Sequence, residues 1–166
     1  MFYFVYCTWL DKEELAKYSP NAVFVTKATA MNHQIQFRAA GDRKDRGWCH
    51  LSNSTEAQGH VTYGLVYMLP EEDSSLDYED FERCFLTVRG EDGKVYDCFT
   101  YRLVRPGVAM RPPNYYWQHI PKGARDWELL PDYIAKIEQT YNMALACPDA
   151  DRPIPSATPG KSAETR

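Results

Sequence analysis

The sequence predicts an α+β fold organised on a mixed sheet. Three observations lead there. Strand-type runs outnumber helical ones, two of those runs flank Gly90-Glu91-Asp92-Gly93 with its Asp-Gly hairpin signal, and helical apolar spacing is confined to a few short stretches. The pattern leaves open whether the sheet closes on itself.

Residues 2–6, Phe-Tyr-Phe-Val-Tyr, are the β-branched and aromatic types that suit a buried first strand. Asp11-Lys12-Glu13-Glu14 then carries the Asp-x-x-Glu spacing of a helix capping box, so a strand feeds a helix through Tyr6 to Leu10. Backbone N–H groups of such a turn point outward and can hold an anionic ligand group. The helix spans residues 11–18 with Leu15 inward, and Ser19-Pro20 stops it.

Residues 22–26 form a continuous apolar run suited to a central strand, and residues 34–37 alternate as a half-exposed one. The basic cluster from Arg38 to Arg46, interrupted by Asp42 and Asp45, reads as a solvated loop. A short strand follows at 48–52 and a turn at 56–59. Residues 61–69 are the second strong strand, in which Gly64 marks close approach of another backbone or a ligand. Pro70-Glu71-Glu72-Asp73 has the composition of a first helical turn. Residues 81–89 and 94–104 pair as the hairpin.

Pro106-Gly107 and Pro112-Pro113 break the pattern. Residues 114–123 then have helical spacing, and a last helix starts at Pro131-Asp132, with Tyr133, Ile134, Ile137 and Tyr141 as its packing stripe. The final stretch, 147–166, has four prolines and almost no large apolar residue, which predicts one domain over 1–146 and a disordered tail.

The formal charge of -4 and pI near 5.6 argue against nucleic-acid and anionic-membrane partners, both of which require a basic face. Five cysteines without paired short spacing disfavour a disulfide framework and a zinc site. Residues 1–10 read as neither a signal peptide nor a span, and the chain is expected to be cytoplasmic, monomeric or weakly dimeric. Cys7, beside a helix start that favours thiolate, is the thiol of interest. The acidic stretch 71–82 mixes carboxylates with Leu76, Tyr78 and Phe81, where lost hydration would raise a carboxyl pKa and make a general base.

Several stretches together resemble the γ-glutamylcyclotransferase family, including the plant avirulence-induced proteins of that fold. Tyr6-Cys7-Thr8-Trp9-Leu10 stands where the family carries Tyr-Gly-Ser-x-Leu. Tyr63-Gly64-Leu65-Val66-Tyr67-Met68-Leu69, followed by Leu76-Asp77-Tyr78-Glu79, is similar to its Gly-containing strand and Leu-Asp-x-x-Glu-Gly motif. The hairpin with Tyr101, Pro112-Pro113-Asn114-Tyr115-Tyr116, Gly123-Ala124 and Leu130-Pro131-Asp132-Tyr133 continue the resemblance in order, over residues 2–141.

The resemblance implies a small mixed β-barrel of five to seven strands with flanking helices. It also implies a small-molecule substrate and neither metal nor cofactor. The substrate site would comprise Tyr6, Cys7, Thr8, Trp9, Leu10 and Tyr116. A carboxylate would take a proton from the substrate α-amine, which attacks the γ-amide to give 5-oxoproline. Asp80 keeps the family's three-residue distance from Asp77; Glu79 keeps the Tyr-Glu pairing and is favoured, with Glu82 third. The family glycine and serine are replaced by Cys7 and Thr8, and a Cβ at Cys7 narrows the approach of an anion and is strained if φ is positive there. Three functions follow: cyclotransfer on γ-glutamyl amines or peptides, related cyclisation, isomerisation or lyase chemistry on an aromatic or other specialised metabolite, and small-molecule binding without turnover.

Overall fold

β1 (Phe2–Val5) is the strand that closes the sheet. In the computed structural model, which describes residues 1–70 and 76–155, it pairs antiparallel with β5 (Val61–Met68) and parallel with β7 (Val95–Leu103). With β2 (Val23–Met31) and β6 (Phe81–Gly90) these strands form a closed mixed barrel in the order β1-β5-β2-β6-β7. A second sheet, β4-β3-β8, is built from β3 (Gln34–Ala40), β4 (Gly47–Ser52) and β8 (Pro106–Ala109). Both faces of β1 are covered, which is why Tyr3, Phe4 and Val5 are all buried and the strand is apolar without alternation.

Gly64 meets β1 as the sequence requires: a Cβ there would lie 2.1 Å from the Val5 carbonyl oxygen and 2.9 Å from the Phe4 ring. The hairpin of β6 and β7 pairs from Phe81↔Leu103 to Arg89↔Val95. α1 (Lys12–Tyr18) buries Leu15, and the Asp11 side chain caps it by accepting from the Glu13 N–H at 3.2 Å. Residues 114–126 divide into α2 (Asn114–Trp117) and α3 (His119–Asp126), and α4 (Pro131–Met143) buries Tyr133, Ile134 and Ile137. Trp117 stacks on Tyr141 at 3.9 Å, joining α2 to α4.

Three expectations change. Residues 22–26 are not a fully buried central strand: Val23 is 63% exposed and Phe24 is exposed although both pair with β5, and alternating burial begins only past the bulge between Phe24 and Thr26, in a strand that continues to Met31. Pro106-Gly107 does not simply break the pattern but opens β8, an edge strand, where a missing N–H is tolerated. The cluster from Arg38 to Arg46 is not a solvated loop: Arg38 lies on β3 and Arg46 is wholly enclosed. The helical turn expected after Pro70 lies outside the described residues. The stretch from residue 147, expected as a tail, is described to 155. There Ala150 O accepts from Asn114 N–H, Cys147 is buried, and Arg152 donates to Asp45 O.

His50 ties the second sheet to the barrel. It is buried on β4, and its Nδ1 accepts the Leu103 N–H at 3.1 Å. Burial, with Arg102 and Arg38 nearby, pushes its pKa down from 6.5 to about 4. The folded state therefore binds this proton more weakly than the unfolded chain, and stability falls as pH drops from 6.5 toward 4. Allowing for partial solvent access, the expected loss is about 2 kcal/mol. His50→Asn, whose side-chain oxygen accepts the same bond without titrating, should flatten that part of a plot of melting temperature against pH.

Candidate functional site at the β1 turn

β1 ends at the barrel rim, and the chain turns there through a 310 segment, Thr8–Leu10, closed by the Leu10 N–H to Cys7 O bond at 3.0 Å. All five residues from Tyr6 to Leu10 are buried. Tyr6 OH donates to Tyr101 O at 2.6 Å, which anchors the start of the turn to β7. Cys7 sits at φ -127°, so the position does not demand the left-handed region and a side chain is accommodated. Its Sγ lies 3.2 Å from Tyr116 OH, and that hydroxyl also accepts the Cys49 N–H at 3.1 Å. Tyr116 thus clamps the turn to β4. Thr8 Oγ1 is buried with no hydrogen-bond partner among the described residues.

The turn is held from below by α3. Trp127 Nε1 donates to Leu10 O at 3.0 Å, and Asp11 accepts from His119 Nδ1 at 2.8 Å and Lys122 Nζ at 3.2 Å. Burial alone would raise the Asp11 pKa, yet the hydrogen bonds from His119 and Lys122 outweigh it and hold the carboxyl below its usual range. Gly123 lets α3 approach: a Cβ there would lie 2.3 Å from the Leu10 carbonyl carbon and 2.4 Å from Asp11 N.

Around Trp9 the turn carries a cluster of aromatic rings. The Trp9 ring lies 6.1 Å from Tyr3, 5.8 Å from Tyr18 and 6.2 Å from Tyr78, and Tyr3 stacks on Phe99 at 5.0 Å. Burial pushes the Tyr18 hydroxyl up to about 12, so it is a neutral donor at physiological pH. Tyr78 belongs to the acidic turn before β6, so the Trp9–Tyr78 contact joins the two segments that the sequence singles out.

The carboxylates of that second turn differ in their commitments. Asp77 accepts from Tyr101 OH at 2.6 Å and Arg83 Nε at 2.9 Å. Asp80 is paired with Arg43 at 3.1 Å and Glu82 with Arg102 at 2.8 Å. Glu79 is exposed and has no hydrogen bond or ion pair among the described residues. Glu79 and Asp80 line a groove of about 580 Å³ together with Arg43, Val104 and Arg105. The structure therefore brings Cys7 and Tyr116 into contact and puts Glu79 and Asp80 side by side. It shows no direct contact between those two pairs.

Two residues here escape sequence reasoning. Asp77 is read only as a spacing marker, yet it is the carboxylate tied to Tyr101. Arg46 is wholly enclosed, with its guanidinium carbon 3.4 Å from the Trp48 ring centroid and 5.1 Å from that of Tyr116. The signal for Arg46 is its spacing, since Arg46-Gly47-Trp48 places it two residues before a buried tryptophan. Among the described residues, no group of three or more His, Cys, Asp or Glu side chains is placed to hold a metal ion, and no helix is long and apolar enough to cross a membrane.

No protein-family model and no curated protein sequence matches the chain. Solved structures do match it. A γ-glutamyl cyclotransferase superposes with a TM-score of 0.71 at 20% identity, over 99% of this chain and 94% of that one. YkqA from Bacillus subtilis gives 0.71 at 22% identity, over 88% of this chain and 55% of that one. A yeast γ-glutamyl cyclotransferase specific to glutathione gives 0.51 at 12% identity, over 86% and 97%. Such identities speak for backbone architecture, and the closed mixed barrel agrees with them: the chain has the γ-glutamylcyclotransferase-like fold.

Proposed function

We propose that the protein is a cofactor-independent cyclotransferase acting on a γ-glutamyl amine or peptide. The observation that carries this reading is the meeting of two turns at one barrel rim, through the ring contact of Trp9 with Tyr78. One turn offers the buried Cys7-Thr8 corner, and the other supplies a carboxylate, Glu79, as its next residue. Glu79 is favoured as the base because Asp77, Asp80 and Glu82 are each committed to a cation.

In the reaction the substrate α-amine gives a proton to Glu79 as its nitrogen bonds to the γ-carbonyl carbon. The bond from that carbon to the leaving nitrogen then breaks, and the protonated Glu79 returns the proton to the departing amine. The products are 5-oxoproline and a free amine. Closing a five-membered ring is intramolecular, so the protein has mainly to orient the chain, accept a proton and exclude water. The cluster of Tyr3, Trp9, Tyr18 and Tyr78 favours a second reading within the same chemistry, in which the group beside the reacting amide is aromatic.

The test is to incubate the purified chain with γ-glutamyl peptides, γ-glutamyl alkylamines and γ-glutamyl arylamines and to measure 5-oxoproline. Release from the arylamines first is the expected order. Absence of product across the panel at high enzyme concentration rejects the proposal and leaves ligand binding without turnover.

A further inference from the structure

A cleft of about 380 Å³ opens between the second sheet and the end of the barrel hairpin. Among its lining residues are Gln36 and Arg38 of β3, His50 of β4, Glu56 of the turn that follows, and Arg102 of β7. Gln36 and His50 are direct partners in the antiparallel register and Arg38 stands two residues on, so the three side chains share one face of the sheet. Tyr6 to Leu10, Tyr116, Glu79 and Asp80 do not line this cleft. Its chemistry is therefore separate from that of the β1 turn.

The cleft carries one unpaired charge of each sign. Arg38 Nε donates to Gln36 Oε1 at 3.2 Å and Nη1 to Gly107 O at 3.3 Å, both neutral acceptors, and Arg38 forms no ion pair among the described residues. Glu56 accepts from Gln36 Nε2 and Ser52 Oγ, each at 3.3 Å, and meets no cation there. Hydrogen bonds from Ser54, its own backbone and Gln36 hold its carboxyl down at about 2, so it is ionised. The Gln36 amide thus spans the two charges and keeps them no more than about 9 Å apart. Arg102 is committed to Glu82 at 2.8 Å and to Asn53 at 3.1 Å. His50 adds a donor: the ring is only 5% exposed, and because Nδ1 accepts the Leu103 N–H, the proton of the neutral ring is on Nε2. That N–H has no partner among the described residues and is not sealed from solvent, so it opens on the cleft that the ring lines.

We propose that this cleft binds a small zwitterion, an amino acid or a dipeptide, with its carboxylate on Arg38 and the His50 Nε2–H and its ammonium on Glu56. Nη2 and one Nη1 hydrogen of Arg38 remain uncommitted, a planar fork that takes a carboxylate bidentately. A ligand of one charge would leave the opposite end of the cleft unanswered, whereas a zwitterion completes both. Gln36 already fixes Arg38 and Glu56 through its amide, so little side-chain freedom is lost on binding. The volume lies near the lower end of small-molecule sites, roughly 300–1,000 Å³, and suits a ligand of this size rather than a longer peptide.

The experiment is isothermal titration calorimetry of the full-length chain near neutral pH and at low salt. It compares γ-aminobutyrate and glycylglycine with butyrate and propylamine, each of which keeps one of the two charges. Both zwitterions should bind with a Kd below about 10 mM, and the singly charged probes about tenfold more weakly or not at all. Arg38→Gln and Glu56→Gln should each weaken γ-aminobutyrate by about tenfold or more. Glu56 is exposed, so its variant serves if Arg38→Gln does not fold. His50→Asn keeps the bond to Leu103 but loses the Nε2–H, and should weaken binding by about three- to tenfold. Arg105→Gln removes an exposed cation of the neighbouring groove and should change the Kd by less than about twofold. No binding of either zwitterion, equal binding of butyrate or propylamine, unchanged affinity in any of the three cleft variants, or an equal loss in Arg105→Gln overturns the proposal. Zwitterion binding of this pattern in a protein that releases no 5-oxoproline supports it and rejects cyclotransfer alone.

Discussion

Glu79→Gln lowers the rate of 5-oxoproline release by about 10²–10⁴-fold, the usual contribution of a positioned general base. The substitution keeps the shape of an exposed side chain, so its melting temperature should match the wild type within about 1 °C. Asp80→Asn serves as the internal comparison. It removes the Asp80 carboxylate from Arg43, which keeps Asp45, but leaves Glu79 untouched, and the expected loss is tenfold or less. Steady-state rates on the best γ-glutamyl substrate decide the matter. A large loss in Asp80→Asn with little in Glu79→Gln transfers the role to Asp80; unchanged rates in both remove this turn from the chemistry.

Gly123→Ala should be strongly destabilising. The added methyl would stand 2.3 Å from the Leu10 carbonyl carbon and 2.4 Å from Asp11 N, and neither backbone atom can rotate away. Either α3 backs off from the turn, loosening the bonds from Trp127 and His119, or the turn itself shifts. The expected cost is about 3–4 kcal/mol, read as a fall of about 6–16 °C in melting temperature. Activity should fall more than the folded fraction does, since the displaced segment is the one next to Cys7 and Thr8. A variant as stable as the wild type would show that the helix and the turn are not pressed together.

Much of this architecture is legible in the chain because local chemistry and tertiary position agree. The aromatic β1, the Gly64 approach and the Asp-Gly hairpin each state their structure within a few residues. Gly123-Ala124, matched only as a pattern, acquires a physical meaning once α3 is seen against Leu10. The misreadings share a cause. Val23 and Phe24 look like core, but they pair with β5 and are still exposed, because burial depends on what covers a strand and not on its pairing. Arg46 looks solvated because Asp42, Arg43, Lys44 and Asp45 precede it, and only folding reveals that Asp45 turns toward Arg43 and Arg152 instead. Pairing between distant charges is not a property of local sequence, so the commitments of Asp77, Asp80 and Glu82, and with them the distinct status of Glu79, emerge only in three dimensions.

The way β1 closes the barrel has a kinetic consequence. Tyr3 registers with Phe99, Thr100 Oγ1 donates to Phe4 O at 2.7 Å, and Tyr6 OH reaches Tyr101 O, so β1 waits for partners that lie more than ninety residues further along the chain. Contacts so distant in sequence are slow to form, because the loop must be closed before the pairing rewards it. The β6–β7 hairpin and α4 can form locally and early. Until β1 docks, a strongly aromatic strand stands open to aggregation, and the corner at Cys7 exists only in the last-formed part of the molecule.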